Sequence, residues 1–78
     1  MSAKTKDQWD AHARNLVKGE LARRGLNYDD LVVRLKKIGV DDNANNLRSK
    51  INRGTFSATF LLQVLQAIGC KSLDIYVD

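Results

Sequence analysis

The chain has 78 residues, 44% hydrophobic and 28% charged, with a net charge of +4, which allows one domain with a modest core and argues against a disordered segment. Its single cysteine, Cys70, excludes an internal disulfide and with it a stapled secreted scaffold. The polar, basic start from Met1 to Lys6 does not read as a signal peptide. The longest uncharged stretch, Gly54 to Cys70, is too short and too rich in Thr, Gln and Ser to span a bilayer, so no membrane partner and a cytoplasmic location are expected.

Residues 1–6 are expected to be a flexible N-terminus, residues 7–71 one helical domain, and residues 72–78 a separate tail. The first predicted helix runs from about Asp7 to Arg24, with Trp9, Ala13, Leu16, Val17 and Leu21 on one apolar stripe. Asp10–Arg14 and Glu20–Arg24 are spaced as favourable i,i+4 pairs. Gly25 stops this helix. Asn27 is a good N-cap for a second, with Asp30 three residues on in the capping-box position. Tyr28, Leu31, Leu35 and Ile38 form its apolar face, and Gly39 ends it.

Val40 reads as a buried connector. Asp41 or Asp42 is the expected cap of a third helix spanning about 42–53, with Ala44, Leu47 and Ile51 as a narrow inward stripe and Gly54 as its stop. Ser57 caps a fourth helix from Ala58 to Ile68, whose lack of charge predicts burial on most sides and a central place in the core. In the tail, Leu73, Ile75 and Val77 alternate with Asp74, Tyr76 and Asp78, a strand-like period. A lone strand needs a partner. The tail therefore reads either as a strand pairing with its own copy across a homodimer, which is preferred, or as a last helical turn. The fold class that follows is all-α: a bundle of four to five short helices with a helix-turn-helix core and a short C-terminal strand.

Chemistry-bearing residues are few. His12 is the only histidine and reads as an exposed or edge residue; Cys70 reads as a small packing residue. The pairs Asp29–Asp30 and Asp41–Asp42 sit at predicted helix starts, where capping and the helix dipole account for them. There is no glycine-rich phosphate loop, CxxC or HExxH. No catalytic residue, metal site or cofactor is expected, and the chain does not read as an enzyme.

Charge is unevenly placed. Residues 1–54 hold 12 Lys and Arg against 7 Asp and Glu, whereas residues 55–78 hold one Lys against two Asp. That asymmetry suits an acidic polymer as well as an ordinary solvated surface. With Ala44, Leu47 and Ile51 inward, the opposite face of the third helix carries Asp42, Asn45, Asn46, Ser49, Asn52 and Arg53, with Arg48 and Lys50 on either flank. Asparagine can pair bidentately with adenine and arginine with guanine, and flanking cations can reach phosphates. The same face also fits a plain polar surface helix.

The run from Gly25 to Cys70 resembles the lambda-repressor-like, XRE-type helix-turn-helix domain. The matching segments are GLNYDDL (25–31), IGV (38–40), KINRG (50–54) and SATFLLQVLQAIG (57–69). The chain is closer still to a group of small bacterial proteins carrying a domain of unknown function, through Trp9, Ile38–Val40, Lys50–Gly54 and Phe56–Gln63. The resemblance implies a supporting second helix and a third helix that reads the major groove of double-stranded DNA. By position, the base-reading residues would be Asn45, Asn46, Ser49, Asn52 and Arg53, and Arg48, Lys50 and Thr55 would contact phosphates. Three departures change how the reading helix projects: acids at 29 and 30 replace the usual glutamine, the second helix is about a turn longer, and Leu47 and Ile51 are four apart rather than three. The implied function is a transcriptional or mobile-element regulator. The alternative is a protein-interaction module of the same fold that does not bind DNA, favoured by the acids at the helix starts and the amphipathic tail 73–77.

Overall fold

A computed structural model describes residues 3–76. Four helices form in chain order: α1 (Lys6–Arg23), α2 (Tyr28–Lys37), α3 (Ala44–Arg53) and α4 (Ala58–Ala67). Each begins at a polar residue in extended conformation whose side chain accepts a backbone N–H of the first turn: Thr5, Asn27, Asn43 and Ser57. These caps satisfy donors that a helix start would otherwise leave unpaired. Thr5 and Asn27 both close full capping boxes, with Gln8 and Asp30 respectively.

Two of these starts correct the sequence expectation. Thr5 and Lys6, placed in the flexible N-terminus, belong to the cap and first residue of α1; Met1 and Ser2 lie outside the described residues. The cap of α3 is Asn43 rather than Asp41 or Asp42. The carboxylate of Asp42 is engaged elsewhere, by the Asn43 backbone N–H at 2.9 Å and by Lys50 Nζ at 2.8 Å. Asp42 therefore precedes the helix instead of riding on its outer face.

The core consists of Val17 and Leu21 from α1, Leu31 and Leu35 from α2, Leu47 and Ile51 from α3, Phe60 and Val64 from α4, and Ile68 just beyond it. Helix α3 packs against both α1 and α2, and α4 packs against α2. The centre of the fold is thus the α2–α3 pair, not α4. Leu62 is 67% exposed, because Phe60, Val64 and Ile68 set an inward direction from which Leu62 points about 160° away at 100° per residue. Trp9, expected on the inner stripe of α1, is 57% exposed; Val17, Glu20 and Leu21 centre that stripe about 70° from it. Asp10 pairs with Lys6 at 2.9 Å rather than with Arg14, while the Glu20–Arg24 pair forms at 2.9 Å.

Glu20 is the one buried charged residue among those described. Arg24 and Arg23 both pair with it, and Cys70 Sγ lies 3.4 Å from its Oε1, so the carboxylate has the partners that burial demands. Cys70 itself packs against the edge of the core.

The described tail contains no strand. Residues 71–76 have no regular secondary structure and lie along α1: Ile75 borders a shallow hollow with Trp9, His12, Ala13 and Leu16, and Asp74 and Tyr76 border another with Asn15, Gly19 and Arg23. Within the chain, the alternation of the tail places Ile75 in one hollow and Asp74 and Tyr76 in an adjoining one, the two sharing Leu16 along the same side of α1. Val77 and Asp78 lie outside the described residues.

Candidate nucleic-acid interface

Helix α3 is held by its inner side. Leu47 and Ile51 are fully buried, at 0% exposure, and Ala44 is half-buried. At 100° per residue that anchoring turns the opposite side outward. Asn45, Asn46, Ser49, Asn52 and Arg53 are all exposed, as are Arg48, Lys50 and Thr55. The eight sequence-predicted residues thus share one helix surface and its margins, with Thr55 just past the left-handed C-cap Gly54 (φ 70°).

Their side chains are not equally free. Arg48 Nη1 donates to Asn45 Oδ1 at 3.0 Å, and its guanidinium lies 5.3 Å from the centre of the Tyr28 ring at the start of α2. Lys50 is held by Asp42 and sits 5.2 Å from the Phe60 ring centre. Among the described residues, Ser49, Asn52, Arg53 and Thr55 make no side-chain hydrogen bond or ion pair.

The Asp42 carboxyl is held below its ordinary value of 3.8. The hydrogen bond from Lys50 is the main cause, partly opposed by burial and reinforced by the Asn43 backbone N–H. Asp42 and Lys50 are eight residues apart, so no local spacing rule announces this pair. The Tyr28–Arg48 stack is equally hidden from the sequence, since it joins two helices. The Asn45–Arg48 bond is accessible to it as an i,i+3 pair on one helix.

No group of three or more His, Cys, Asp or Glu that could hold a metal ion occurs among the described residues, and no described helix is long and apolar enough to cross a membrane.

Fold and surface together define a small all-helical domain that offers one asparagine-rich helix face to solvent. Over residues 9–73 the chain matches the family described as a domain of unknown function, DUF6471, and it belongs to that family. No match was found among curated proteins or among solved structures.

Proposed function

We propose that this protein is a sequence-specific, double-stranded DNA-binding regulator of cytoplasmic location, in which α2 and α3 act as a helix-turn-helix pair of the lambda-repressor-like type. In this reading α3 enters the major groove, Asn45, Asn46, Ser49, Asn52 and Arg53 face base edges, and Arg48, Lys50 and Thr55 face the backbone. The carrying observation is the division of α3: Leu47 and Ile51 fully buried, all five base-reading candidates exposed. Three asparagines in a ten-residue helix cost helix propensity, a cost that groups serving recognition would justify. A homodimer would set two α3 helices about 34 Å apart, one turn of DNA.

The test is a salt-titrated binding assay on a random duplex pool. Binding at low salt is expected to weaken steeply as salt rises, with a log–log slope of at least about −2 for a pair of copies. A chain that binds no duplex at low salt, or whose affinity ignores salt, is not a DNA-binding protein.

The protein-interaction reading has one specific support: Trp9, Ile75 and Tyr76 are exposed on neighbouring parts of α1 and the tail, and exposed aromatic groups favour protein contacts. Under it, replacing Leu73 and Ile75 with Ser abolishes complex formation in sedimentation experiments, Asn52→Ala leaves it intact, and the wild-type chain binds no duplex at low salt.

A further inference from the structure

We infer that α3 divides base reading between two asparagines of different chemistry: Asn52 reads adenine, whereas Asn45 reads the acceptor edge of guanine or thymine. The inference rests on the DNA-binding reading above and adds to it which base class each residue selects.

A primary amide pairs with adenine by using both of its functions, its oxygen accepting from N6 and its NH2 donating to N7. Asn52 is exposed and makes no side-chain hydrogen bond among the described residues, so both functions are free. Asn45 differs. A guanidinium has only donors, so the 3.0 Å contact with Arg48 Nη1 occupies one of the two lone pairs of the Asn45 carbonyl oxygen and directs that oxygen toward Arg48, while the Asn45 NH2 makes no hydrogen bond among the described residues. An NH2 used alone suits an edge of acceptors, N7 with O6 on guanine or O4 on thymine, better than adenine, whose N7 acceptor stands beside an N6 donor that needs the amide oxygen.

Arg48 is not a casual neighbour. Its position 5.3 Å from the centre of the Tyr28 ring gives it a second attachment, on a different helix. Tyr28 is itself half-buried against the core, so the exposed guanidinium of Arg48 has one contact on the body of the fold. Tyr28 and Arg48 therefore act on Asn45 as positioning residues, and the remaining guanidinium donors of Arg48 stay available for its proposed phosphate contact.

Spacing supplies the rest. Asn45 and Asn52 are seven residues apart, two helical turns, on nearly the same line of the surface and about 10.5 Å apart along the axis. At about 3.4 Å per base-pair step that separation spans about three steps. Ser49 lies between them, and a hydroxyl both donates and accepts, so it discriminates little.

The experiment is selection from a randomised duplex pool by the full 78-residue chain, with sequencing of the bound fraction. The expected consensus pairs an adenine with a guanine or thymine about three base pairs away. Asn52→Ala lowers the adenine preference about tenfold or more and keeps the second position. Arg48→Ala, which frees the Asn45 carbonyl, moves the second position toward adenine, and Tyr28→Phe, which keeps an aromatic face beneath Arg48, leaves it unchanged. A wild-type consensus with adenine at both positions, or one that Asn52→Ala does not alter, overturns the inference. A chain that binds every duplex alike overturns it while the DNA reading stands; a chain that binds no duplex removes both.

Discussion

Gly54 and Asp10 meet backbone to backbone. A Cβ built on Gly54 would overlap the carbonyl oxygen of Asp10 outright and lie 2.6 Å from its carbonyl carbon. This contact fastens the C-terminal end of α3 to the first half of α1, and Gly54 also carries the positive φ of the helix stop. Two separate demands for glycine, one conformational and one steric, fall on one residue.

Gly54→Ala is expected to cost at least about 3 kcal/mol, from left-handed strain together with displacement of a backbone that cannot yield like a side chain. Gly25→Ala provides the control. Gly25 has a similar φ of 65° but nothing within 4 Å of where an added methyl group would sit, so only the strain, about 1 kcal/mol, should appear. Urea unfolding of both variants checks the pair, and equal losses would show that the close approach to Asp10 does not matter.

Replacing Glu20 is expected to be less damaging than its burial suggests. Removing one partner of a fully buried ion pair commonly costs about 3–5 kcal/mol, because the other charge is stranded. Here the partners Arg23 and Arg24 are 66% and 30% exposed along their side chains, so water takes over when the carboxylate goes. Glu20→Gln should therefore cost about 1–2 kcal/mol, lowering the thermal midpoint by roughly 4–16 °C in a domain of this size. A larger loss would mean that the Cys70 contact at 3.4 Å or the local packing carries more than the charge pairing does.

The tail lies on α1 through His12. Its Nδ1 is 2.7 Å from Lys4 Nζ and its Nε2 is 2.7 Å from the carbonyl oxygen of Ile75. A lysine ammonium can only donate, so Nδ1 accepts and the Nε2–H donates to the tail. The His12 ring stacks on Trp9 with centroids 5.8 Å apart. A chain ending at Asp74 should lose this anchor and change the emission of Trp9, the only tryptophan, at a stability cost below about 1 kcal/mol, since Ile75 and Tyr76 bury little apolar area. Unchanged fluorescence would place the tail elsewhere in solution.

What can be read from the sequence is what is decided locally. The caps Asn27 and Ser57 are legible because each stands immediately before a periodic apolar run. The inward set Leu47 and Ile51 follows from the spacing of the only large apolar residues in α3, and with it the exposure of the asparagine face. The α3 start is not legible. Asp41, Asp42 and Asn43 are all capable caps, and the choice among them is made by Lys50, eight residues from Asp42, drawing off its carboxylate. The exposure of Trp9 and Leu62 escapes the sequence for a related reason: hydrophobicity says that a side chain gains by burial, but only the neighbouring helix decides which angular sector is covered.

Asp42 is where stability and binding should move in opposite directions. Its folded-state pKa lies below the ordinary value, so its contribution to stability is fully present above that value and is lost as pH falls through the lower, folded one. Wild-type stability should therefore fall below about pH 4 in part through this group, and Asp42→Asn should lack that component while being less stable than wild type at neutral pH. The same substitution removes an acid beside the proposed DNA face and releases Lys50, which is 47% exposed along its side chain, for a phosphate. Under the DNA reading Asp42→Asn then binds duplex more tightly, with a salt slope steeper by about one unit per copy, even though its unfolding midpoint is lower. Acid titration of stability and salt titration of binding on the same variant check both halves. Weaker binding at every salt concentration would mean that the Asp42–Lys50 pair positions α3 for contact and does not hold back its charge.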